Sequence, residues 1–499
     1  SNQRPYLSHV LAVSEAWPHV RYLADWMEVT TAPVKWNLIR DNESVVRSER
    51  ASRTKVAAVD FSSKAGVTID RISRSTDLAT ALQDHSSQQS TDAHRLYIVE
   101  DLSRDVIELL GNALDIDPLF FREQISDYIW YNTRDPWVEL PDLRVVQSER
   151  RFFRIKYLQP RYFKNPASFE RATTEAASFN ILRRLDNDKN HKTVLDNEGA
   201  TVALVRSRAS FWWRPAVQGK HGAITISYDL GVLLIDPTLG EGFPLWGGNR
   251  NFMQTPSLSE KGPFDKLPRS SLFDRLLYWC KQTSQADIQE MAQDPRVMSF
   301  RMSQIICAEW LTVCQYVTAR LAQIDWELQN PDFRKDPSGI DSSLSKLHPW
   351  RRNVPVFKTM LDESARRVFA ETPDPVCPRM KSLQQDFQGA GEAINDLQNR
   401  IERIVGVATA IISIEESRRA IGLNTYLGRL TYLAVIFAPL SFVSSFFSMS
   451  SDVTQLSETF WIYFVVAIPV STLAFFIVDQ ARFVRGFEKL KSCIKRKKK

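Results

Sequence analysis

At 499 residues the chain is long enough for more than one domain. Its formal net charge of +6 is concentrated in residues 480–499, where nine basic side chains stand beside one acid; the rest is close to −2, which excludes a phosphate-binding face for nucleic acid. The five cysteines (Cys280, Cys307, Cys314, Cys377, Cys493) are scattered, odd in number and without CxxC spacing, which excludes a disulfide framework and a zinc site and points to a reducing compartment.

The chain opens on Ser1 rather than Met, so its true N-terminus is expected further upstream, and SNQRPYLSHVLAVSEAWPHV lacks the charged-then-apolar pattern of a signal peptide. Residues 1–94 read as a poorly defined extension, with short candidate strands at 56–61 and 67–72 and a surface loop at 83–93. Asn42-Glu43-Ser44 fits the glycosylation pattern and, without a translocation signal, is taken as chance. Residues 95–270 read as an α/β domain. RLYIVED (95–101) is a buried strand, Ser103 caps a helix that Gly111 ends, and Pro118 sits in the first turn of the next helix. RFFRIKYL (151–158), TVALVRSRASFWW (201–213) and AITISYDLGVLLIDP (223–237) alternate as half-buried strands, and 166–186 holds a shorter helix or strand. GEGFPLWGGN (240–249) has neither the third glycine of a dinucleotide fingerprint nor the Lys-Ser/Thr of a P-loop, and reads as a turn-rich loop.

Residues 271–378 read as the helical part of this domain, with helices at about 295–328 and 340–369. Ile306, Trp310, Val313, Val317 and Leu321 share one helical face, which makes Trp310 a core residue rather than part of a cofactor box. After the prolines of 372–378, Met380, Leu383, Phe387, Ala390, Ile394, Leu397, Ile401, Ile404, Ala408 and Ile411 recur in steps of three and four. That is the seam of a coiled coil or long bundle helix. No proline intervenes before Pro439, so a stalk helix (379–429) is expected to continue into the next segment to about residue 449, some 105 Å at 1.5 Å per residue. Gly389, Gly391 and Gly406 are costly places in it.

Residues 430–449 carry no charge and are long enough to cross a bilayer, as are residues 460–478. Between them lies a polar loop (450–459) that contains Asp452 and Glu458 but no Lys or Arg. Arg418, Arg419 and Arg429 precede the first span and the basic tail (479–499) follows the second, so both termini are expected in the cytoplasm of a two-pass membrane protein, with the plasma membrane as its expected site and an organelle membrane as the alternative. The tail is suited to anionic lipid heads. One face of the first span runs Asn424, Leu427, Thr431, Ala434, Ala438, Ser441, Ser445, Ser448, with the bulky residues mostly elsewhere. Such a stripe is either a tight packing seam or a pore wall, and two helices per chain enclose a hydrated path only if several copies assemble. The seven histidines are isolated, no enzyme constellation is present, and no cofactor is called for.

Asn424, Leu430-Thr431, Pro439-Leu440-Ser441-Phe442 and Phe447-Ser448-Met449-Ser450, at the end of a long stalk helix, resemble the CorA magnesium-transporter family of the CorA/ZntB superfamily of divalent cation transporters. The resemblance is strongest over about 380–499 and weaker at 98–121. It implies an α+β cytoplasmic domain in α/β/α layers, continued by the stalk helix into two C-terminal transmembrane helices, the whole a homopentameric funnel. It also implies that Asn424 and Leu427 ring the cytoplasmic mouth of a pore, with Thr431, Ala434, Ala438, Ser441 and Ser445 along it. The family's Gly-Met-Asn at the outer entrance reads Ser448-Met449-Ser450 here, a departure that bears on ion choice. The expected function is passage of a divalent cation, Mg²⁺ first. Zn²⁺ transport on the same fold, and a non-conducting scaffold or sensor without the filter, stand as alternatives. Partners are copies of the chain, the bilayer and the cation; regulatory metal sites in the cytoplasmic domain have no sequence signal.

Overall fold

The computed structural model describes residues 4–29, 43–62, 66–87, 93–125, 143–181, 183–188, 197, 199–220, 223–248, 259, 271–330, 340–369, 378–448 and 461–474. They belong to two units, Ser1–Ile404 and Val405–Lys499.

The first unit is built on one eight-stranded sheet: β1 Lys55–Ser62, β2 Gly66–Ile72, β3 Ala93–Glu100, β4 Phe152–Phe163, β5 Arg184–Asp188, β6 Thr201–Lys220, β7 Ala223–Ile235 and β8 Phe243–Pro244. The order is β2-β1-β3-β7-β6-β4-β8, with β5 also paired to β6. Only β3 and β7 run parallel, and their register aligns Glu100 with Ile235. Alternation along these strands divides the core in two. Val56, Ala58, Tyr97, Val99, Val232 and Leu234 pack with the helices α1 Pro5–Ala16 and α2 Arg21–Val29 and with residues 102–125. The intervening Ala57, Val59, Phe61, Leu96, Ile98 and Leu233 are equally buried and so face the other layer. That layer holds α11 Phe300–Gln329 and α12 Ile340–Val368, both against β4, where the Lys156 backbone N–H donates to Ser364 Oγ at 2.9 Å. The fold is therefore the layered α+β arrangement expected, with a mixed rather than parallel sheet.

The remaining helices of the unit are α3 Glu43–Arg53, α4 Ser75–Ser87, α5 Arg104–Leu114, α6 Pro118–Ile125, α7 Arg144–Glu149, α8 Pro166–Ser178, α9 Leu272–Lys281 and α10 Gln285–Met291. Several local readings change. Residues 83–87 belong to α4 rather than to a loop. α5 does not stop at Gly111 but runs to Leu114 and ends on Asp115 in the left-handed region (φ 51°). Gly111 is there for packing: a Cβ would come within 2.5 Å of the Tyr6 ring, whose hydroxyl donates to the Ile116 carbonyl at 2.7 Å. Ser103 has the backbone of an N-cap but makes no side-chain capping bond. Residues 166–186 hold α8, capped by Asn165, and the start of β5.

Residues 240–248 are turn-rich as read, with Trp246 at φ 52°; Asn249 lies outside the described residues. The helix expected from 295 is a 3-10 turn, Pro295–Ser299, leading into α11, and Trp310 is fully buried. Cys280, Cys307 and Cys314 are buried free thiols, each pushed up to about 12 by burial and so unreactive. The prolines before 378, Cys377, Cys493 and Asn42 lie outside the described residues.

Buried charge joins the layers. Glu123 of α6 accepts from Arg150 (3.0 Å) and Arg367 (2.6 Å), and Glu363 of α12 accepts from Lys156 of β4 (2.9 Å). Burial acts to raise the Glu363 pKa, but Lys156, Arg154 and Arg367 outweigh it and hold the carboxyl below its ordinary range. Asp101, just past β3, is the opposite case. It is buried, accepts backbone N–H bonds from Asn180 (3.3 Å) and Ile181 (3.2 Å), and burial pushes it up to about 7.

Candidate functional site

One helix carries most of the residues singled out. α13, Pro378–Phe447, is unbroken for 70 residues and about 105 Å long at 1.5 Å per residue. Its first part belongs to the first unit. There Met380, Leu383, Phe387, Ala390, Ile394, Leu397, Ile401 and Ile404 are all buried, as the seam required. Phe387 meets Phe369 edge-on at 5.6 Å, the Cys314 thiol donates to the Ala390 carbonyl (3.8 Å), and Lys358 Nζ donates to Asn395 Oδ1 (2.8 Å). Each full-sized apolar side chain on this seam contributes about 1.5–3 kcal/mol of burial.

In the second unit α13 changes character. Ala408 is still buried, but residues 413–427 are exposed throughout. Asn424, Leu427, Thr431, Ala434, Ala438, Ser441, Ser445 and Ser448 are likewise all exposed, and all but Ser448, the first residue past the helix, lie within it at alternating spacings of three and four. The structure thus brings them onto one helical face. Leu427 is 58% exposed, the largest apolar side chain on that face. The Thr431 hydroxyl donates to the Leu427 carbonyl at 2.8 Å, which uses its proton and leaves its oxygen lone pairs as acceptors. Met449, Ser450, Asp452 and Glu458 lie outside the described residues.

The same spacing extends backwards in a way the sequence reading missed. Gly406, Ala410, Ser413, Ser417 and Ala420 continue the stripe toward the first unit, all exposed. They follow the seam's register by two positions, about 200° around the helix at 100° per residue. Where the two overlap, Ile404 and Ala408 hold one side and Gly406 and Ala410 the other. The signal was present in the sequence as a second heptad series offset by two. It emerges only when the helix is known to be continuous, because register has no meaning across a break.

The rest of this part of α13 is apolar and uncovered. Leu423, Leu430, Leu433, Phe437, Phe442 and Phe446 are all exposed. A contiguous wall of this kind marks a membrane or protein contact. Among the described residues α13 is the one helix long and apolar enough to cross a membrane, and a shorter apolar helix, α14 Trp461–Ala474, lies within the expected second span. The Tyr463 hydroxyl of α14 donates to the Leu440 carbonyl at 3.3 Å, and among the described residues past 411 Val443 and Ala467 are buried. Pro439 sits inside α13 without ending it; it lacks an N–H, so the Val435 carbonyl loses its usual helical partner.

Among the described residues no three His, Cys, Asp or Glu side chains are grouped to hold a metal ion. The stripe offers hydroxyl and carboxamide oxygens instead, which can bond the water around a cation without stripping it.

Residues 285–482 match the family model described as CorA-like Mg2+ transporter protein. No curated protein sequence matches the chain. Two solved structures are similar to it. The complete structure of the CorA magnesium transporter from Methanocaldococcus jannaschii shares 10% identity, with 85% of this chain and 96% of that chain covered and a TM-score of 0.34. The structure of the full-length CmaX protein shares 11%, covering 86% and 98%, with a TM-score of 0.37.

Proposed function

A CorA-like Mg2+ transporter domain occupies residues 285–482, and from that premise we propose that this integral membrane protein passes Mg²⁺ through a pore lined by α13 in a homopentamer. Such a family implies divalent cation transport and not enzyme chemistry. The observation that carries the finer reading is the stripe itself: small and polar residues at heptad spacing along an unbroken helix whose surface between residues 430 and 446 is otherwise mostly apolar. A packing seam alone would call for small residues. Thr431 suits a packing seam as well, but the Asn424 carboxamide, six residues before the span and in the same register, does not, and a hydrated mouth gives it a partner.

The glycines support close approach of several copies. A Cβ on Gly406, Gly422 or Gly428 would meet nothing within 4 Å among the described residues. Among the described residues of one copy nothing therefore requires glycine, although each costs a helix interior about 1 kcal/mol against alanine. Neighbouring helices of other copies supply the missing reason.

In this reading Leu427 forms a ring that closes the cytoplasmic end of the pore when dry, next to the Asn424 carboxamides. Thr431, Ala434, Ala438, Ser441 and Ser445 continue the wall, and Ser448-Met449-Ser450 meets the hydrated ion outside. Asp452 and Glu458 raise the local cation concentration there. The inside-negative potential drives entry at about 2.3 kcal/mol per charge per 100 mV, twice that for a divalent ion. Residues 379–429 serve as stalk, 430–449 and 460–478 as the spans, and both termini are cytoplasmic.

Reconstitution in liposomes loaded with a Mg²⁺ dye tests the reading. Wild type should admit Mg²⁺, and Leu427→Asp, which removes the dry constriction, should change the flux at least tenfold. Absence of Mg²⁺ flux from assembled oligomers contradicts the proposal, and flux of Zn²⁺ alone replaces the ion named.

A further inference from the structure

Arg429 is the one charge on α13 between Ala420 and Phe447, and it stands among exposed apolar side chains. Tyr426 and Leu433, one turn before and one turn after it, are 67% and 52% exposed, and Ile436 continues the same face. Arg429 follows Leu427 by two positions, about 200° around the helix, and Asn424 by five, about 140°. It is therefore turned away from the stripe.

No carboxylate answers this charge. Arg429 forms no ion pair among the described residues, and α13 has no Asp or Glu from Ser417 to its end at Phe447. Copies of α13 packed alongside bring none either, because they carry the same sequence. The contact Arg429 does make is with an aromatic ring: its guanidinium carbon lies 5.8 Å from the centre of the Tyr426 ring. The Tyr426 hydroxyl makes no hydrogen bond among the described residues and has its proton to give.

Depth selects the partner. The uncharged span begins at the next residue, Leu430, so Arg429 stands where hydrocarbon gives way to head groups. Arg side chains and Tyr rings both settle at that level, the former by reaching along apolar surface to the polar boundary. A guanidinium binds a phosphate through two parallel N–H bonds, and the phenol adds a third donor. The choline or ethanolamine cation of a zwitterionic lipid would find no carboxylate on this face. A head group of net negative charge meets no such mismatch.

We propose that Tyr426 and Arg429 form a seat for the phosphate of an anionic phospholipid, on the side of α13 turned away from the ion path. The inference rests on the membrane reading of residues 430–449 and not on which ion passes. Flotation of the full chain with phosphatidylcholine and with phosphatidylglycerol vesicles checks that premise; a chain that floats with neither overturns the membrane reading and this seat with it. Native mass spectrometry of the full chain in detergent, given both lipids in equal amounts, then reads the ratio in which they stay bound. Wild type should retain phosphatidylglycerol in preference. Arg429→Gln should lower the ratio about fivefold, the loss expected of one basic residue at an anionic surface. Arg429→Lys, which keeps the charge, should hold most of the preference. Arg429 is exposed, so neither change disturbs packing within α13. Arg419→Gln is the control: that guanidinium already pairs with Glu415 at 2.8 Å, and its loss should change the ratio less than about twofold. An unchanged ratio in Arg429→Gln, as when Asp479 outside the described residues holds the guanidinium, overturns the proposal. So does an equal fall in Arg419→Gln, which makes the attraction one of diffuse charge.

Discussion

Between residues 380 and 404, α13 turns its apolar side chains into the protein's own core; between 421 and 446 it turns larger ones outward. The first stretch is buried on a narrow stripe and flanked by Lys381, Gln384, Asp386 and Glu392, an amphipathic helix in water. The second carries a single charge, Arg429, and gathers many of its small and polar residues (Asn424, Thr431, Ala434, Ala438, Ser441, Ser445) on one face. Apolar content alone does not distinguish them. What distinguishes them is which residues stand opposite the apolar ones: charges in the first stretch, small and hydroxyl-bearing residues in the second.

The contrast breaks most visibly by truncating a large side chain in each stretch. Phe387→Ala should cost about 3–5 kcal/mol of first-unit stability, because it empties a packed site against Phe369. Phe442→Ala, at a residue 72% exposed, should change the unfolding of the same unit by less than about 0.5 kcal/mol. Denaturant titration of the two proteins checks both values, and equal losses would mean that the two faces are not differently covered.

A second contrast is pH. From residue 420 to 447 α13 contains no carboxylate, whereas the first unit buries Asp101 with its pKa pushed up to about 7. A carboxyl raised in the folded state binds more protons folded than unfolded, so its penalty is absent below about pH 4, grows as pH rises and is complete above about 7. Asp101→Asn should therefore stabilise the first unit on the order of 2–4 kcal/mol at pH 8, with the gain vanishing toward pH 4. Asparagine also tolerates the left-handed backbone there (φ 56°). Melting curves across pH decide it; a gain independent of pH would show that the carboxyl is not the cause.

Glu363 runs the other way. Its lowered pKa contributes stability that is present above the unfolded carboxyl's range and is lost as pH falls through the folded value. The smallest effect concerns Gly406. Gly406→Ala should raise the helicity of an isolated chain by about 1 kcal/mol at that position, while Gly406→Leu should lower the oligomer fraction in native mass spectrometry. An unchanged oligomer with leucine would remove the close-approach argument.

Much of this was legible in the sequence where period and composition agreed. The seam from Met380 to Ile404 kept a strict 3.5-residue period and is buried throughout. The three long strands stood out by alternation, though β4 and β6 run further than the apolar pattern. Gly111 was misread because a glycine that ends a helix and one that admits a neighbour are identical in sequence; the neighbour is Tyr6, over a hundred residues away. Residues 83–87 were misread because His-Ser-Ser is as polar as a loop while still completing a helix. The stripe was legible from Asn424 onward, and its backward extension to Gly406 required the continuous helix.

The most direct test of the pathway is a cysteine scan of α13 in a background lacking the five native cysteines, with Mg²⁺ flux read before and after a charged, membrane-impermeant thiol reagent. Thr431→Cys, Ala438→Cys and Ser441→Cys should be blocked by the reagent, while Leu433→Cys, Phe437→Cys and Phe442→Cys should keep their flux. Block at the bulky positions with the stripe untouched, or no difference between the two sets, would contradict the assignment of this face to the ion.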